Sequence, residues 1–523
     1  MIEPEWSDVR SKVSNSVFQL NVIEGIFNPL RPYSEPRDRQ SSGSGFLVDA
    51  KRGLVVTNAH VVDNAMSVWG SAPNTGKLKI RMKVLSAIRD KDVALVKIHN
   101  DDLAKIIGDK SPEDMEIKLG DSLGVRQTDK IMIAGYHLGQ RQLSFTTGVV
   151  STFHTEDTGF GFSTVEDSYS RDATYMTTTA PMNPGVSGSP LLNREGKAIG
   201  INAAGRIYAN GIGYAISSRV LMSLIPIMLK EQQPNIPTMS LRWSPTDEST
   251  RKFVMGDVGK DREGIMVRDV YDDSIFSGLE RKDILQMVGF SLDTTNKHFG
   301  IDDIMSREGK KVPVTAVFDS LGDIDLRYGK PMKTREEINK SEKVIDRKIP
   351  ISELADLIPV GSDVDVVFNR GKRRQVLRTK NEHKPTSRIY GVYPVYTPFE
   401  YEFVGGMVIT PLLLNQAAAL GMDMIDDGGD SDSFLFNNHL LVSQVFPETS
   451  ASETGAINAG DILVEVNDIP VSTMKELNEA IRKGVKGSTT FTMANKTFVA
   501  IDNTVMASDR KKAMKMAGVS DKK

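Results

Sequence analysis

With no cysteine and only seven histidines in 523 residues, the chain excludes thiol catalysis, disulfide scaffolds and cysteine-ligated zinc at once. One serine sits where it could act as a nucleophile: Ser187, in Pro181-Met182-Asn183-Pro184-Gly185-Val186-Ser187-Gly188-Ser189-Pro190. Gly, Pro, Ser and Asn are also the ordinary residues of tight turns, so the stretch alone does not separate chemistry from a bend. A serine hydroxyl needs a base to take its proton, an acid to orient that base, and donors to hold an oxyanion. His60 closes the run Leu54-Val55-Val56-Thr57-Asn58-Ala59-His60-Val61-Val62, where a strand delivers an imidazole to a turn flanked by small and apolar residues. His99, His137, His154, His298, His383 and His439 lie in or beside polar loops, where a surface imidazole needs no special role. Asp92 precedes the apolar Val93-Ala94-Leu95-Val96, and a carboxylate there can be shielded from water while it fixes an imidazole tautomer. Taken singly, Asp92 reads as a plain turn residue at a strand start. No two histidines stand at ligand spacing, so neither a metal nor a cofactor is expected.

The order His60, Asp92, Ser187 is that of chymotrypsin-type enzymes. The α/β-hydrolase elbow fits poorly, because its order begins at the serine and its pattern wants glycine at 189, where this chain has Ser189. The elements around these residues agree with a β framework. Short apolar runs at 45–48, 53–57, 92–98 and 130–135, separated by Gly and Asp turns, predict an antiparallel sandwich or barrel. A helix over 218–230 closes this region, and Glu231 to Thr238 reads as a linker with two prolines.

Further along, Lys282-Asp283-Ile284-Leu285-Gln286-Met287-Val288-Gly289 and Gly460-Asp461-Ile462-Leu463-Val464-Glu465-Val466-Asn467 share a turn, an Asp and a strand. Each is followed by a helix candidate, 351–358 and 473–483, and a β run, which suggests two copies of one small domain. The polar stretch of about 300–348 reads as a solvated insertion, and the last residues, including Lys511, Lys512 and Lys515, as a loose basic tail.

Composition sets the outer bounds. Hydrophobic residues are 39% and charged residues 25%, a globular profile. The formal net charge of -3 on so long a chain argues against nucleic acid as a partner. No signal peptide and no apolar run of about 18 residues is seen, which predicts a soluble, intracellular protein without a membrane span.

Four stretches together, Thr57-Asn58-Ala59-His60-Val61-Val62, Asp92-Val93-Ala94-Leu95-Val96-Lys97-Ile98, Asn183-Pro184-Gly185-Val186-Ser187-Gly188-Ser189-Pro190 and Gly211-Ile212-Gly213-Tyr214-Ala215-Ile216, resemble the HtrA/Deg family of trypsin-like serine endopeptidases. The family's usual run at the serine is NPGNSGGP, from which this chain departs at Val186 and Ser189. The resemblance implies a mainly β fold: a chymotrypsin-like double β-barrel protease domain over 10–232, a linker at 233–238, and two PDZ-like α+β domains. These would span 239–385, with the insertion at 300–348, and 399–502, before a tail at 503–523. It implies that His60 is the general base, Asp92 its orienter and Ser187 the nucleophile, with Gly185 and Ser187 N–H groups as the oxyanion hole. Asn202, Ala203, Ala204 and Gly205 would belong to a strand that pairs with substrate. Pro181, six residues before the serine, would lie at the pocket base beside Met182, which predicts cleavage after small or aliphatic residues rather than after Lys or Arg.

Tandem PDZ-like repeats with an enlarged first copy look most like plant-type Deg proteases. Gly405, Gly406, Met407 and Val408 resemble the loop that binds a peptide carboxylate, although a plain buried strand explains them equally. The implied activity is ATP-independent proteolysis of unfolded or peptide substrates; no phosphate loop of the G-x-x-x-x-G-K-[ST] type is present. The rival is a pseudoprotease acting as a peptide-binding scaffold, because Val186 replaces an Asn that could order the oxyanion loop. The family assembles as trimers or multiples of them, and Phe18, Leu20, Ile26 and Phe27 are candidate interface residues.

Overall fold

The computed structural model describes residues 6–520 apart from positions 77, 109, 233, 235 and 350 and the ranges 156–173, 206–212, 237–240, 257–262, 271–273, 294–310, 330–333, 346–347, 352–353, 355–356, 383–394, 396–397, 423–436 and 484–486. Two closed six-stranded barrels come first. One joins β1 (Val17–Ile26), β2 (Arg37–Asp49), β3 (Leu54–Thr57), β6 (Val93–Ile98), β5 (Ile80–Ile88) and β4 (Ala65–Ser71), in that order around the ring. The second joins β10 (Pro190–Leu192), β11 (Ala198–Gly205), β12 (Gly213–Ser217), β9 (Thr174–Thr178), β8 (Ser144–Thr155) and β7 (Lys130–Gly135). Every neighbouring pair is antiparallel, and closure leaves neither ring with an open edge. Continuous apolar runs explain the innermost strands: Val55, Val56, Leu95 and Val96 are fully buried. The interior shared by the barrels packs Phe46, Leu54 and Val93 against Met132, Ile201 and Val220. The helix Ser218–Met228 covers this interior, capped at its start by the Ser217 side chain.

Two seven-stranded sheets follow. The first runs β13 (Leu241–Ser244), β14 (Ile265–Val270), β15 (Ile284–Asp293), β16 (Lys311–Phe318) and β17 (Ile324–Tyr328), and β15 also pairs with β18 (Asp363–Arg370), which pairs with β19 (Arg373–Lys380). The second runs β20 (Glu402–Val404), β21 (Met407–Pro411), β22 (Leu440–Val445), β23 (Ile462–Val466), β25 (Ser488–Met493) and β26 (Phe498–Asp502), with β24 (Ile469–Pro470) on β23. The shared motif is β15 in one sheet and β23 in the other. Of the linker expected at 233–238 only 234 and 236 are described, and of the helix expected over 351–358 positions 352–353 and 355–356 lie outside the described residues.

Four expectations are corrected. The stretch read as a solvated insertion contributes β16 and β17, and Val314, Ala316, Phe318 and Leu326 are buried in the core of the first sheet. Its Lys, Asp and Glu residues mask the apolar run between them. The basic tail is a helix, Asn503–Met516, capped by the Asp502 carboxylate, with Ala513 and Met514 buried beside Phe403 and Phe446. Phe18 and Leu20 are fully buried in the first barrel, so neither is open to another subunit. The segment after β1 is occupied within the chain: Phe27 meets Phe399 edge-on at 6.5 Å, and Tyr33 lies 5.6 Å from Phe403 and donates its hydroxyl to Gln444 at 2.5 Å. Among the described residues no helix is long and apolar enough to cross a membrane.

Candidate active site

Three segments meet where the barrels touch. The helix Ala59–Val62 begins where β3 ends, and its second residue is His60. The 3-10 turn Arg89–Lys91 leads into β6 and ends at Asp92, held in the left-handed region at φ 48°. The loop before β10 carries Ser187. The structure therefore brings His60 and Asp92 together at the end of one barrel, and Gly43 of that barrel lies close to both Val61, next to His60, and the Ser187 carbonyl.

The contacts between His60 and Asp92 are numerous. The imidazole Nδ1 lies 2.8 Å from Asp92 Oδ2 and 3.0 Å from Oδ1, and the His60 backbone N–H donates to Oδ1 at 2.9 Å. Asn58 Nδ2 donates to the Asp92 carbonyl at 3.0 Å, fixing the backbone behind the carboxylate. The Asp92 side chain is only 12% exposed and that of His60 is 37% exposed. With an ionised carboxylate on Nδ1, the neutral ring carries its proton there, and Nε2 is left as the acceptor. That is the tautomer a general base requires.

The Ser187 hydroxyl donates to the Ala203 carbonyl at 3.0 Å. Ala203 lies at an irregularity of β11, just past Asn202, whose N–H donates to the Ser189 carbonyl and whose carbonyl accepts from the Gly188 N–H, at 2.9 and 2.8 Å. Asn202 is fully buried and its amide holds both Ser189 O and Ser189 Oγ, at 3.0 and 2.9 Å.

The loop between Asn183 and Gly188 is fixed by its backbone. Pro184 O accepts from Leu138 N at 2.6 Å, and the trans peptide then sends the Gly185 N–H the opposite way. Gly185 has φ 100°, and a methyl group there would overlap the Tyr136 carbonyl, so no other residue fits. Among the described residues neither the Gly185 nor the Ser187 N–H has an acceptor within the protein. Two uncommitted backbone donors flanking a serine can hold an oxyanion.

Ser44, on β2, holds this loop from below. Its hydroxyl donates to the Gly185 carbonyl at 2.8 Å and accepts from Tyr136 N at 3.1 Å, while its own N–H donates to the Ser187 carbonyl at 2.8 Å. Gly188 permits the approach: at φ 84°, a side chain on it would overlap the Ser44 carbonyl. Sequence reasoning missed Ser44, which sits in the run Ser41-Ser42-Gly43-Ser44-Gly45, where nothing in the sequence sets it apart from its neighbours. Val186 is 3% exposed and packs over Gly135, so the loop is pinned without the family's Asn.

His137 corrects another expectation. It is 8% exposed rather than a surface imidazole, and burial pushes its pKa down. Pro181 is exposed, and the Met182 side chain lies against Gly213, filling the space that a Cβ on that residue would take. The expected carboxylate loop of the second sheet is different again. Gly405 and Gly406 form the turn of the β20–β21 hairpin, Met407 and Val408 are fully buried, and β21 is paired on both edges, by β20 and β22. An added peptide strand has no free edge of β21 to join. The described residues contain no cluster of ligand-type side chains suited to a metal.

Residues 43–201 match the trypsin-like peptidase domain and residues 419–493 match the PDZ domain. The chain is 34% identical over 227 residues to a putative serine protease, HhoB, from Synechocystis sp., covering 42% of this chain and 48% of that protein. It is 26% identical over 349 residues to putative protease Do-like 13 of Arabidopsis thaliana, covering 65% of each. A solved structure described as an HtrA-type protease AlgW with tripeptide aligns with a TM-score of 0.47 at 18% identity, covering 73% of this chain and 98% of that one. The chain thus spans less than two thirds of the length of both curated relatives.

Proposed function

We propose, for a chain that belongs to the HtrA/Deg family of trypsin-like serine proteases, that it is an ATP-independent serine endopeptidase with His60 as general base, Asp92 as its orienter and Ser187 as nucleophile. The observation that carries this reading is the doubly bonded His60–Asp92 pair together with a serine loop whose Gly185 and Ser187 N–H groups are uncommitted. In the reaction, the Ser187 hydroxyl leaves Ala203, turns to His60 Nε2 and passes its proton there as Oγ attacks the scissile carbonyl. The oxyanion is held by Gly185 and Ser187 N–H, and the imidazolium, stabilised by Asp92, returns the proton to the leaving amine. Water then repeats the sequence on the acyl-enzyme.

Substrate binds as an extended strand along Ala203–Gly205, and its N–H takes over the Ala203 carbonyl that Ser187 holds at rest. Met182, lying across Gly213, leaves a shallow apolar pocket that accepts small or aliphatic side chains. The PDZ domains bind peptides or regulate, and the barrels assemble as a trimer or its multiples.

A Ser187-dependent fluorophosphonate label, and casein digestion lost in Ser187→Ala, test the reading. The resting bond from Ser187 to Ala203 favours one alternative, a peptide-holding scaffold. Absence of labelling in every assembly state separated by size would select it.

A further inference from the structure

Two charged residues that the mechanism above does not use lie beside the His60–Asp92 pair. Asp63 ends the helix that carries His60, three residues on, and Arg89 opens the turn that carries Asp92, three residues before it. Arg89 Nε bonds Asp63 Oδ1 at 2.6 Å, with the two side chains only 9% and 15% exposed. Arg89 also supplies the carbonyl that receives the Asp92 N–H at 2.8 Å. The two segments are therefore tied twice: by His60 to Asp92, and by Asp63 to Arg89.

Such a tie has mechanical and electrostatic consequences. A buried ion pair is costly to break from one side, because the remaining charge stays in a poorly solvated place. The groups around this pair are His60 on its own helix and Asp92 and the buried Lys91 on the facing turn. Burial pushes the Asp63 carboxyl up, while Arg89 and His60 act to lower it and Asp92 adds to the rise. Asp63 and the catalytic pair therefore lie within one another's field.

We propose that the Asp63–Arg89 ion pair positions the catalytic pair: it sets the distance between the base-bearing helix and the acid-bearing turn, and it keeps net charge away from the imidazole. The proposal rests on the protease reading. Neither residue reaches substrate; each acts through the segment it anchors.

The test measures the rate of Ser187 labelling by a fluorophosphonate against pH in the full-length protein. The acid limb of that profile reports protonation of His60. In Asp63→Asn the carboxylate that faces Arg89 is lost while the guanidinium keeps its charge, and the added net positive charge near the catalytic pair disfavours the imidazolium. The limb is expected to move to lower pH by roughly half a unit or more, with the plateau rate down about tenfold. In Arg89→Met, the buried Asp63 takes up a proton and no charge is left, so the plateau falls while the limb stays at its wild-type position. The double variant behaves like Arg89→Met.

A role confined to stability would lower melting temperature without moving the limb. An unmoved limb in Asp63→Asn, or a plateau within about twofold of wild type, overturns the proposal. If Asp63→Asn is insoluble, Arg89→Lys keeps the cation but loses the Nε geometry. It should hold the limb and lower the plateau; a wild-type plateau overturns the proposal. A wild type that takes no label defeats the protease reading itself, whereas a labelled wild type with an unmoved variant limb defeats only this inference.

Discussion

Replacing Ser44 by alanine isolates the support of the oxyanion loop from the catalytic residues. Ser44 is fully buried, and its hydroxyl is the partner of two backbone groups, the Tyr136 N–H and the Gly185 carbonyl. Alanine occupies the same space minus one oxygen, so the cost is two unmet polar groups rather than a cavity. Each such group costs about 1–3 kcal/mol when water cannot reach it. The Tyr136 share weakens the second barrel just beyond β7 and is read as stability. The Gly185 share falls on the loop and disfavours the arrangement in which its N–H is presented. At about 1.4 kcal/mol per factor of ten, that second share predicts a fall of roughly 5- to 150-fold in labelling rate and in kcat/KM. The assay pairs fluorophosphonate labelling of the folded variant at 25 °C with a thermal melt. A rate within twofold of wild type, whatever the melting temperature, would mean that Ser44 serves only the barrel and that the loop holds its shape by other means.

Three further outcomes follow from the same geometry. Val186→Asn restores the residue usual in the family, yet it puts an amide where Val186 is 3% exposed over Gly135. It is expected to cost about 2 kcal/mol in a denaturant titration and to leave activity no higher than wild type. Met182→Ala removes the side chain lying across Gly213 and should shift peptide-library cleavage toward larger aliphatic or aromatic residues; a preference unchanged in size would refute its role as pocket wall. Asp102, bonded by the Arg81 side chain at 2.9 Å and its backbone N–H at 3.0 Å, has its carboxyl held well below the usual carboxylate range. Its contribution is present above the ordinary carboxylate pKa near 4 and is lost as pH falls toward the depressed value. The wild-type melting temperature should therefore drop more steeply below about pH 4 than that of Asp102→Asn.

What could be read from the sequence depended on what restricts each residue. Nucleophilic chemistry tolerates few substitutions, so Ser187, a histidine after an apolar strand and an aspartate before another stand out, and the fold brings His60 and Asp92 into contact. The barrels were legible for a related reason, since strands buried on both faces leave runs such as Val93-Ala94-Leu95-Val96. Ser44 was invisible because its work is done on backbone atoms of a loop about 140 residues away. The β16–β17 hairpin was hidden by the charged residues that flank it in sequence, although Val314 to Phe318 are all buried. The helix 503–516 was hidden because its buried side rests on Asp509, Ala513 and Met514, too few apolar positions to show a helical stripe. Gly405 and Gly406 illustrate an ambiguity that sequence leaves open: the same two glycines suit a carboxylate-binding loop and the hairpin turn between β20 and β21.

The strand β19 has a bearing on how the molecule behaves at high concentration. Among the described residues it pairs with β18 alone, so its other edge offers unpaired backbone groups to any second chain. Along that edge Arg374, Arg378 and Lys380 stand exposed, beside the exposed Val376. A copy docking edge to edge would bring rows of like charge face to face, a common guard against fibril-like growth. That guard is electrostatic, and salt shortens its reach from about 10 Å at 0.1 M to about 3 Å at 1 M. Stocks kept in strong brine should therefore cloud sooner than those kept in dilute buffer.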